Sequence, residues 1–98
     1  MTYNIIISIL ADLDVQRIRF YISEILKNPL GAEHVSKRIF NAIMSLSYFP
    51  NKYRIISKNI HILSINSYSI YYKVANDNVI ILRVLSSKQQ FNYYDVLN

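Results

Sequence analysis

The feature that most restricts the fold of this chain is a change of hydrophobic pattern at Pro50. Before Pro50, apolar residues recur at steps of three and four, which is the period of helices that bury one face. After it, apolar and aromatic residues run in short segments separated by turns that contain Asn or Ser, which is typical of strands. The sequence therefore predicts an α+β fold, in which a helical layer packs on a sheet.

Three elements are predicted before Pro50. The segment of residues 3–9 is short and rich in isoleucine, which favours a buried strand. A first helix follows, with Asp12 and Asp14 as solvated charges near its start, and it stops before Pro29, because the residue that precedes a proline disfavours helix. A second helix runs to Pro50. The apolar stripe of the first helix comprises Leu13, Ile18, Ile22 and Ile25, and that of the second comprises Ala32, Val35, Ile39, Ala42, Ile43, Leu46 and Phe49.

After Pro50, the segment "PNKYRIISKN" is predicted to be a basic loop or a partly extended segment. Three strands follow, "IHILSI", "SIYYKVA" and "VIILRVL", joined by "NSY" and "NDN" turns. The short "NPLG" joint allows the two helices to form an antiparallel pair. The predicted architecture is β-α-α-β-β-β: a curved antiparallel sheet packed on an N-terminal helical hairpin, in one domain that spans residues 1–98.

The last two strands can be paired in two registers. If residues 76–78 form the loop, Lys73 faces Ile81 and Tyr71 faces Arg83, close enough for a cation–π contact. A two-residue loop would place Lys73 and Arg83 on opposite faces, each among apolar neighbours, and burying an unpaired charge is costly. We therefore expect the three-residue loop and an open, mixed apolar and basic sheet face that binds a partner. The predicted binding face comprises Tyr71, Lys73, Ile81, Arg83, Leu85 and Lys88.

The net charge of +5 is concentrated after residue 50. Residues 51–98 contain six Lys and Arg against two Asp, whereas residues 1–50 contain five Lys and Arg against four Asp and Glu. A basic half indicates an acidic partner, either nucleic acid or an acidic protein segment; the alternative is a domain that is basic without functional consequence.

The composition argues against several classes of site. A single glycine, Gly31, excludes the glycine loops that bind nucleotide cofactors, because such loops need several glycines. With no cysteine and two distant histidines, we expect no disulfide, metal or cofactor; His34 should be exposed and His61 structural or at the rim of the sheet. No apolar run is long enough to cross a membrane and no signal peptide is evident, so we expect a cytoplasmic protein with no membrane partner and no small-molecule substrate.

Three segments carry a resemblance to a known family. They are "ADLDVQRIRFYISE" as the first helix, "NPLGAEHVSKRIFNAIMSLSYFP" as the second, and "SYSIYYKVANDNVIILRVLSSKQQF" as the last strands and the basic tail. In this order they resemble the RelE/ParE superfamily of small bacterial toxins from type II toxin–antitoxin systems, over nearly the whole chain. The resemblance implies a cytoplasmic toxin that a cognate antitoxin neutralises, with the predicted binding face as the antitoxin surface.

The family that the chain resembles contains toxins with two different activities. RelE-like toxins cut mRNA in the ribosomal A site and carry an Arg after the Tyr that opens the third strand and an Arg or His in the tail, whereas ParE-like toxins act on DNA gyrase. Here Ser69 follows Tyr68 and residues 86–90 read SSKQQ, so the chain resembles ParE-like toxins more closely and is not expected to be an enzyme. A metal-independent mRNA endonuclease and a degenerate, non-toxic member that only binds antitoxin remain alternatives. For the endonuclease, the candidate catalytic residues are Lys52, Arg54, Lys58, Arg83, Tyr93 and Tyr94.

Overall fold

The computed structural model describes residues 2–87, 89 and 91. Five strands form one sheet in the order β1-β5-β4-β3-β2, and two helices pack on it. The elements are β1 (Asn4–Ile7), α1 (Ile9–Phe20), a π-helical turn (Tyr21–Ile25), α2 (Pro29–Ser45), a 3₁₀ turn (Pro50–Lys52), β2 (Ile55–Ser57), β3 (Ile60–Ile65), β4 (Tyr68–Ala75) and β5 (Asn78–Ser86).

The predicted α+β class and helical hairpin are confirmed, and the sheet differs from the prediction in two respects. The segment predicted to be a basic loop or a partly extended segment contains a short edge strand, β2, which pairs antiparallel with β3. At the other edge, β1 pairs with β5 in parallel, from Asn4 opposite Asn78 to Ile7 opposite Ile81, so the sheet is mixed. The first strand therefore pairs with the last one, which the local pattern around each strand does not reveal.

Both helices begin with a side-chain cap. The Ser8 hydroxyl accepts a hydrogen bond from the Ala11 amide at 3.1 Å, and the Asn28 side chain accepts one from the Gly31 amide at 3.0 Å. A Cβ at position 31 would collide with the Asn28 side chain, so glycine permits this cap. Since Pro29 occupies the first turn, where its missing N–H is tolerated, α2 starts earlier than the apolar stripe alone indicates.

The core lies between the helices and one face of the sheet. The predicted stripe of α2 is largely confirmed, although Phe49 is exposed. In α1 the buried face is rotated from the prediction: Leu13 is exposed, whereas Ala11 and Asp14 are buried. The residues of the core cluster are Ala11, Ile39, Ile43, Leu46, Leu63, Ile70, Tyr72, Val79, Ile81 and Val84.

The loop of the β4–β5 hairpin has two residues, Asn76 and Asp77, and not three. Asn76 adopts a left-handed conformation (φ 56°), which asparagine tolerates better than most residues. Because the loop is one residue shorter than predicted, Lys73 pairs with Ile80 and not with Ile81.

A bulge at Leu82 restores the predicted pairing farther from the loop. Leu82 is an extra residue in β5, between Ile81, which pairs with Tyr72, and Arg83, which pairs with Tyr71. The predicted register is therefore wrong next to the loop and correct at Tyr71, because the two registers weighed from the sequence both assume an uninterrupted strand.

Neither helix in the described part of the chain combines the length and the apolar content that a membrane span requires.

Candidate functional site

An ion pair joins α1 to β5. Asp14 accepts hydrogen bonds from Arg83 Nε at 2.7 Å and from the Arg83 guanidinium Nη2 at 2.8 Å. Its Oδ2 atom also accepts the backbone N–H of Val84 at 2.9 Å. The Arg83 side chain is 12% exposed and the Asp14 side chain is 4% exposed, so this is a nearly buried, bidentate ion pair. We call the contacts of Asp14 with Arg83 and Val84 the ionic joint.

The ionic joint lies just beyond the point where β1, the strand next to β5, ends. The last residue of β1 is opposite Ile81, and the chain then turns into α1. Ser8 continues the contact with β5: its N–H donates to the Ile81 carbonyl and its hydroxyl donates to the Leu82 carbonyl, both at 3.0 Å. The Asp14 carboxylate then accepts a hydrogen bond from the Val84 N–H. Side chains of α1 and its cap thus satisfy the edge of β5 that β1 no longer covers, as buried backbone groups require.

The ionic joint overturns part of the predicted binding face. Arg83 was expected on an open face, but its guanidinium is held by Asp14, which was itself expected to be a solvated charge. Ile81 is fully buried against the helices and Leu85 is buried on the other side of the sheet, so neither is exposed for a partner. The expectation that these residues share one open face is therefore wrong, because the two-residue loop places Ile81 opposite Tyr72, on the core side.

Two other residues of the predicted face lie on the sheet side that points away from the helices. Lys73 is exposed. Tyr71 is half-buried because the ring of Phe91 stacks on it, with centroids 4.3 Å apart. The chain at Phe91 therefore folds back over this side of the sheet. Lys88 lies outside the described residues.

The candidate ribonuclease residues that the structure describes are not assembled into one site. Lys52, Arg54 and Lys58 are exposed around the edge strand β2, and the Lys52 ammonium lies 5.3 Å from the centre of the Tyr53 ring. Arg83 lies on β5, with β4 and β3 between it and this edge, about 14 Å at the usual strand spacing. The two tail tyrosines, Tyr93 and Tyr94, lie outside the described residues.

A second buried polar cluster holds the segment after α2 against β3 and β4. The Tyr72 hydroxyl donates to the Pro50 carbonyl, and His61 Nδ1 lies 3.0 Å from the Tyr53 carbonyl, to which it must donate because a carbonyl only accepts. The rings of His61 and Tyr72 are stacked with centroids 5.0 Å apart. We call these two hydrogen bonds the neutral joint. Burial, with a smaller contribution from Tyr53, raises the pKa of Tyr72 to about 12.

The two histidines differ in burial, and the described acids form no metal-binding group. His61 is structural, as expected, and His34 is exposed. Over residues 2–87, 89 and 91, no three His, Asp or Glu side chains group as they would around a metal ion.

Beside the ionic joint lies a half-open cleft of about 410 Å³, between α1 and the ends of β4 and β5. Sequence reasoning missed this site because it treated Asp14 as a solvated charge. One signal was present: Asp14, Ile18 and Ile22 are four residues apart, which places Asp14 on the buried face of the helix. The cleft is lined by Asp14, Arg17, Ile18, Tyr21, Tyr68, Val84, Ser86 and Gln89.

Comparisons with known proteins agree with this architecture. The model of a family described as the ParE toxin of the type II toxin-antitoxin system, parDE, matches residues 5–91. A structure of the chromosomal ParDE toxin–antitoxin system from P. aeruginosa superposes with a TM-score of 0.78 and 17% identity, over 87% of this chain and 96% of that chain. The toxin–antitoxin complex RelBE2 from Mycobacterium tuberculosis superposes with a TM-score of 0.66 and 15% identity, over 88% and 92%. No curated protein sequence matches the chain.

Proposed function

Because the chain belongs to the ParE toxin family of type II toxin–antitoxin systems, we propose that it is the toxin of such a system and that its target is DNA gyrase. The observation that carries this proposal is the family match over residues 5–91, on a fold shared with solved toxin structures. The toxin acts in the bacterial cytoplasm, where it stops growth when it is free, and a cognate antitoxin neutralises it.

The arrangement of charges supports interference by binding over RNA cleavage. Cleavage of RNA needs a group that activates the 2′-hydroxyl, another that protonates the leaving oxygen, and cations that stabilise the phosphate, all converging on one phosphodiester. Arg83 is instead committed to Asp14, and His61 is committed to the Tyr53 carbonyl. The other candidate cations lie at the β2 edge, and residues 50–75 contain no Asp or Glu that could act as an acid or base beside them.

The antitoxin contact includes the exposed cations of the sheet. Residues 50–75 contain Lys52, Arg54, Lys58 and Lys73 and no Asp or Glu. All four side chains are exposed, so an acidic segment of the antitoxin would meet no like charge from this part of the chain. Arg83 contributes indirectly, because it holds α1 on β5 and does not face a partner.

The target is tested by inducing the chain in bacterial cells and assaying the purified protein with gyrase. We expect a DNA-damage response with intact transcripts in cells, and inhibition of supercoiling by purified gyrase. Rapid, codon-phased cleavage of mRNA with normal supercoiling would overturn the gyrase target in favour of the endonuclease. Unaffected growth, with the folded protein present, would overturn both activities.

The partner is tested separately, because the proposal predicts a small open reading frame next to this gene that encodes the antitoxin. Its product, made together with the chain, should restore growth and purify as a complex with it. The complex should weaken when Lys73 is replaced by Glu, because the substitution places a negative charge against the acidic segment. A complex that forms without any dependence on these cations would contradict the proposed contact.

A further inference from the structure

The half-open cleft beside the ionic joint has one wall from the helix and one from the sheet. Its volume of about 410 Å³ lies within the range of small-ligand sites, about 300 to 1,000 Å³. In the sheet wall, Tyr68 at the start of β4 pairs with Ser86 at the end of β5. The helical wall lies on one side of the helix, because its residues recur at steps of three and four. This wall comprises Asp14, Arg17, Ile18 and Tyr21.

The buried part of the cleft is neutral. Asp14 and Val84 are the buried residues among those that line it. Both oxygens of the Asp14 carboxylate already accept hydrogen bonds, Oδ1 from Arg83 Nη2 and Oδ2 from Arg83 Nε and the Val84 N–H. Since Arg83 balances the charge of Asp14, a ligand in the cleft meets no unpaired carboxylate from the described lining residues.

The rim of the cleft carries a positive charge and several hydrogen-bond donors. Arg17 is exposed, and its guanidinium makes neither an ion pair nor a hydrogen bond within the described part of the chain. Gln89 Oε1 accepts the Ser86 N–H at 3.0 Å, so the amide nitrogen of Gln89 is left as a donor. The hydroxyls of Tyr21, Tyr68 and Ser86 also line the cleft and are able to donate.

From this neutral interior and cationic rim, we propose that the cleft binds a carboxylate attached to an aromatic or branched aliphatic group. Arg17 recognises the carboxylate, because the planar guanidinium donates to both of its oxygens at once. The apolar part of the ligand lies against Ile18 and Val84, between the rings of Tyr21 and Tyr68. The site is separate from the proposed gyrase target and from the cations proposed to meet the antitoxin.

A phosphate group fits the cleft less well than a carboxylate. A phosphate monoester carries a charge of about −1.5 to −2 at neutral pH. Among the described residues that line the cleft, Arg17 is the only cation, so it balances one negative charge. The β2 edge, where Lys52, Arg54 and Lys58 are exposed, suits a multiply charged partner better.

An NMR titration of the purified chain with phenylacetate tests the cleft. We expect millimolar affinity, because the probe is small. The backbone amide signals of Ile18, Val84 and Ser86 should shift, because these residues line the cleft. Phenylacetamide is the neutral probe of the same size. It should bind at least about tenfold more weakly, because it cannot form a charge-assisted pair with Arg17.

Arg17→Gln should weaken the binding of phenylacetate by at least about tenfold and leave that of phenylacetamide unchanged. Arg19→Gln is the matched control, because Arg19 is exposed on the same helix and does not line the cleft. It should change neither affinity, and circular dichroism should confirm that both variants are folded. Equal effects of the two substitutions, or equal binding of acid and amide, overturn the proposal. Shifts confined to the β2 edge overturn it as well.

A capped tetrapeptide, acetyl-Ala-Glu-Phe-Ala-amide, distinguishes two sources of the carboxylate. If the peptide binds more tightly than phenylacetate, with the same dependence on Arg17, the ligand is an acidic residue of a partner protein. If phenylacetate binds more tightly, the ligand is a small free acid. Both results support the proposal. If neither probe binds, the proposal is overturned, and the proposed toxin function is unaffected because it does not use the cleft.

Discussion

The ionic joint attaches α1 to the sheet and the neutral joint attaches the segment after α2 to it, and the two do so by different chemistry. At the β5 edge, Asp14 binds a guanidinium and a backbone N–H at once. At the β3–β4 side, Tyr72 and His61 donate to the carbonyls of Pro50 and Tyr53. A buried ion pair is costly to break on one side, because the remaining charge is left without a partner. A neutral hydrogen bond contributes about 1 kcal/mol and leaves no charge behind. The two joints should therefore fail under different perturbations.

The largest effect is expected from Asp14→Asn. The substitution keeps the size of the side chain and an acceptor for the Val84 N–H, but it leaves Arg83 nearly buried without its counter-charge. We expect the free energy of unfolding to fall by about 2 to 4 kcal/mol, measured by urea denaturation. Asp12→Asn is the control, because Asp12 is exposed on the same helix and bonds only Gln16. Equal losses in the two variants would mean that the ionic joint does not stabilise the fold.

The next effect separates the joints by pH. The pKa of Tyr72 is raised to about 12 in the folded chain from 10.0. Above pH 10 the unfolded chain releases this proton while the folded chain keeps it, so stability present below pH 10 is lost as the pH rises towards 12. The loss should approach about 2 to 3 kcal/mol, at about 1.4 kcal/mol per pKa unit. Denaturation of the wild type and of Tyr72→Phe between pH 8 and 11 measures the first part of this loss, about 1.4 kcal/mol by pH 11, one unit above the unfolded pKa. The variant should show the shallower decline, and parallel curves would contradict the prediction.

A smaller effect is expected from Tyr72→Phe at neutral pH. The ring remains in the core and on His61, and only the hydrogen bond to the Pro50 carbonyl is lost. We expect a loss of about 1 kcal/mol in the free energy of unfolding. Tyr21→Phe, at an exposed position, should change it by less. If Tyr72→Phe costs as much as Asp14→Asn, the distinction between an ionic and a neutral joint is wrong.

The smallest effect is expected from Arg54→Ala. Arg54 is exposed at the β2 edge and has no counter-charge in the described structure, so its removal should change the free energy of unfolding by less than about 0.5 kcal/mol. Chemical denaturation checks this directly. A loss above about 1 kcal/mol would show that the β2 edge is also held by its cations.

The elements that sequence predicts well are those whose pattern is local and uninterrupted. The stripe of α2 is read correctly at Ala32, Ile39, Ile43 and Leu46, because helical periodicity needs only the residues of that helix. The rule at Pro29 sets only an outer limit for the first helix, because α1 ends at Phe20 and the π-helical turn after it ends at Ile25.

The site was less predictable because its geometry depends on one inserted residue and one distant contact. The two-residue loop places Ile81 opposite Tyr72, on the core side, and the bulge at Leu82, which no local feature marks, returns Arg83 to its place opposite Tyr71. The sequence disfavours a two-residue loop because it would place Lys73 and Arg83 on opposite faces, each among apolar neighbours, and burying an unpaired charge is costly. In the structure Asp14, 69 residues away, pairs with Arg83, and Lys73 is exposed. The hydrophobic pattern of a strand gives no information about a contact between residues so far apart in sequence.

The parallel pairing of β1 with β5 also has a consequence for the time course of synthesis. Asn4 leaves the ribosome early, but its partner Asn78 is made 74 residues later. During that interval β1 and α1 have no completed sheet to pack on, and a contact of such long sequence separation forms late in folding. The nascent toxin should therefore remain without its native surface until the last strand has been translated, which gives the cell a delay before any free copy can act.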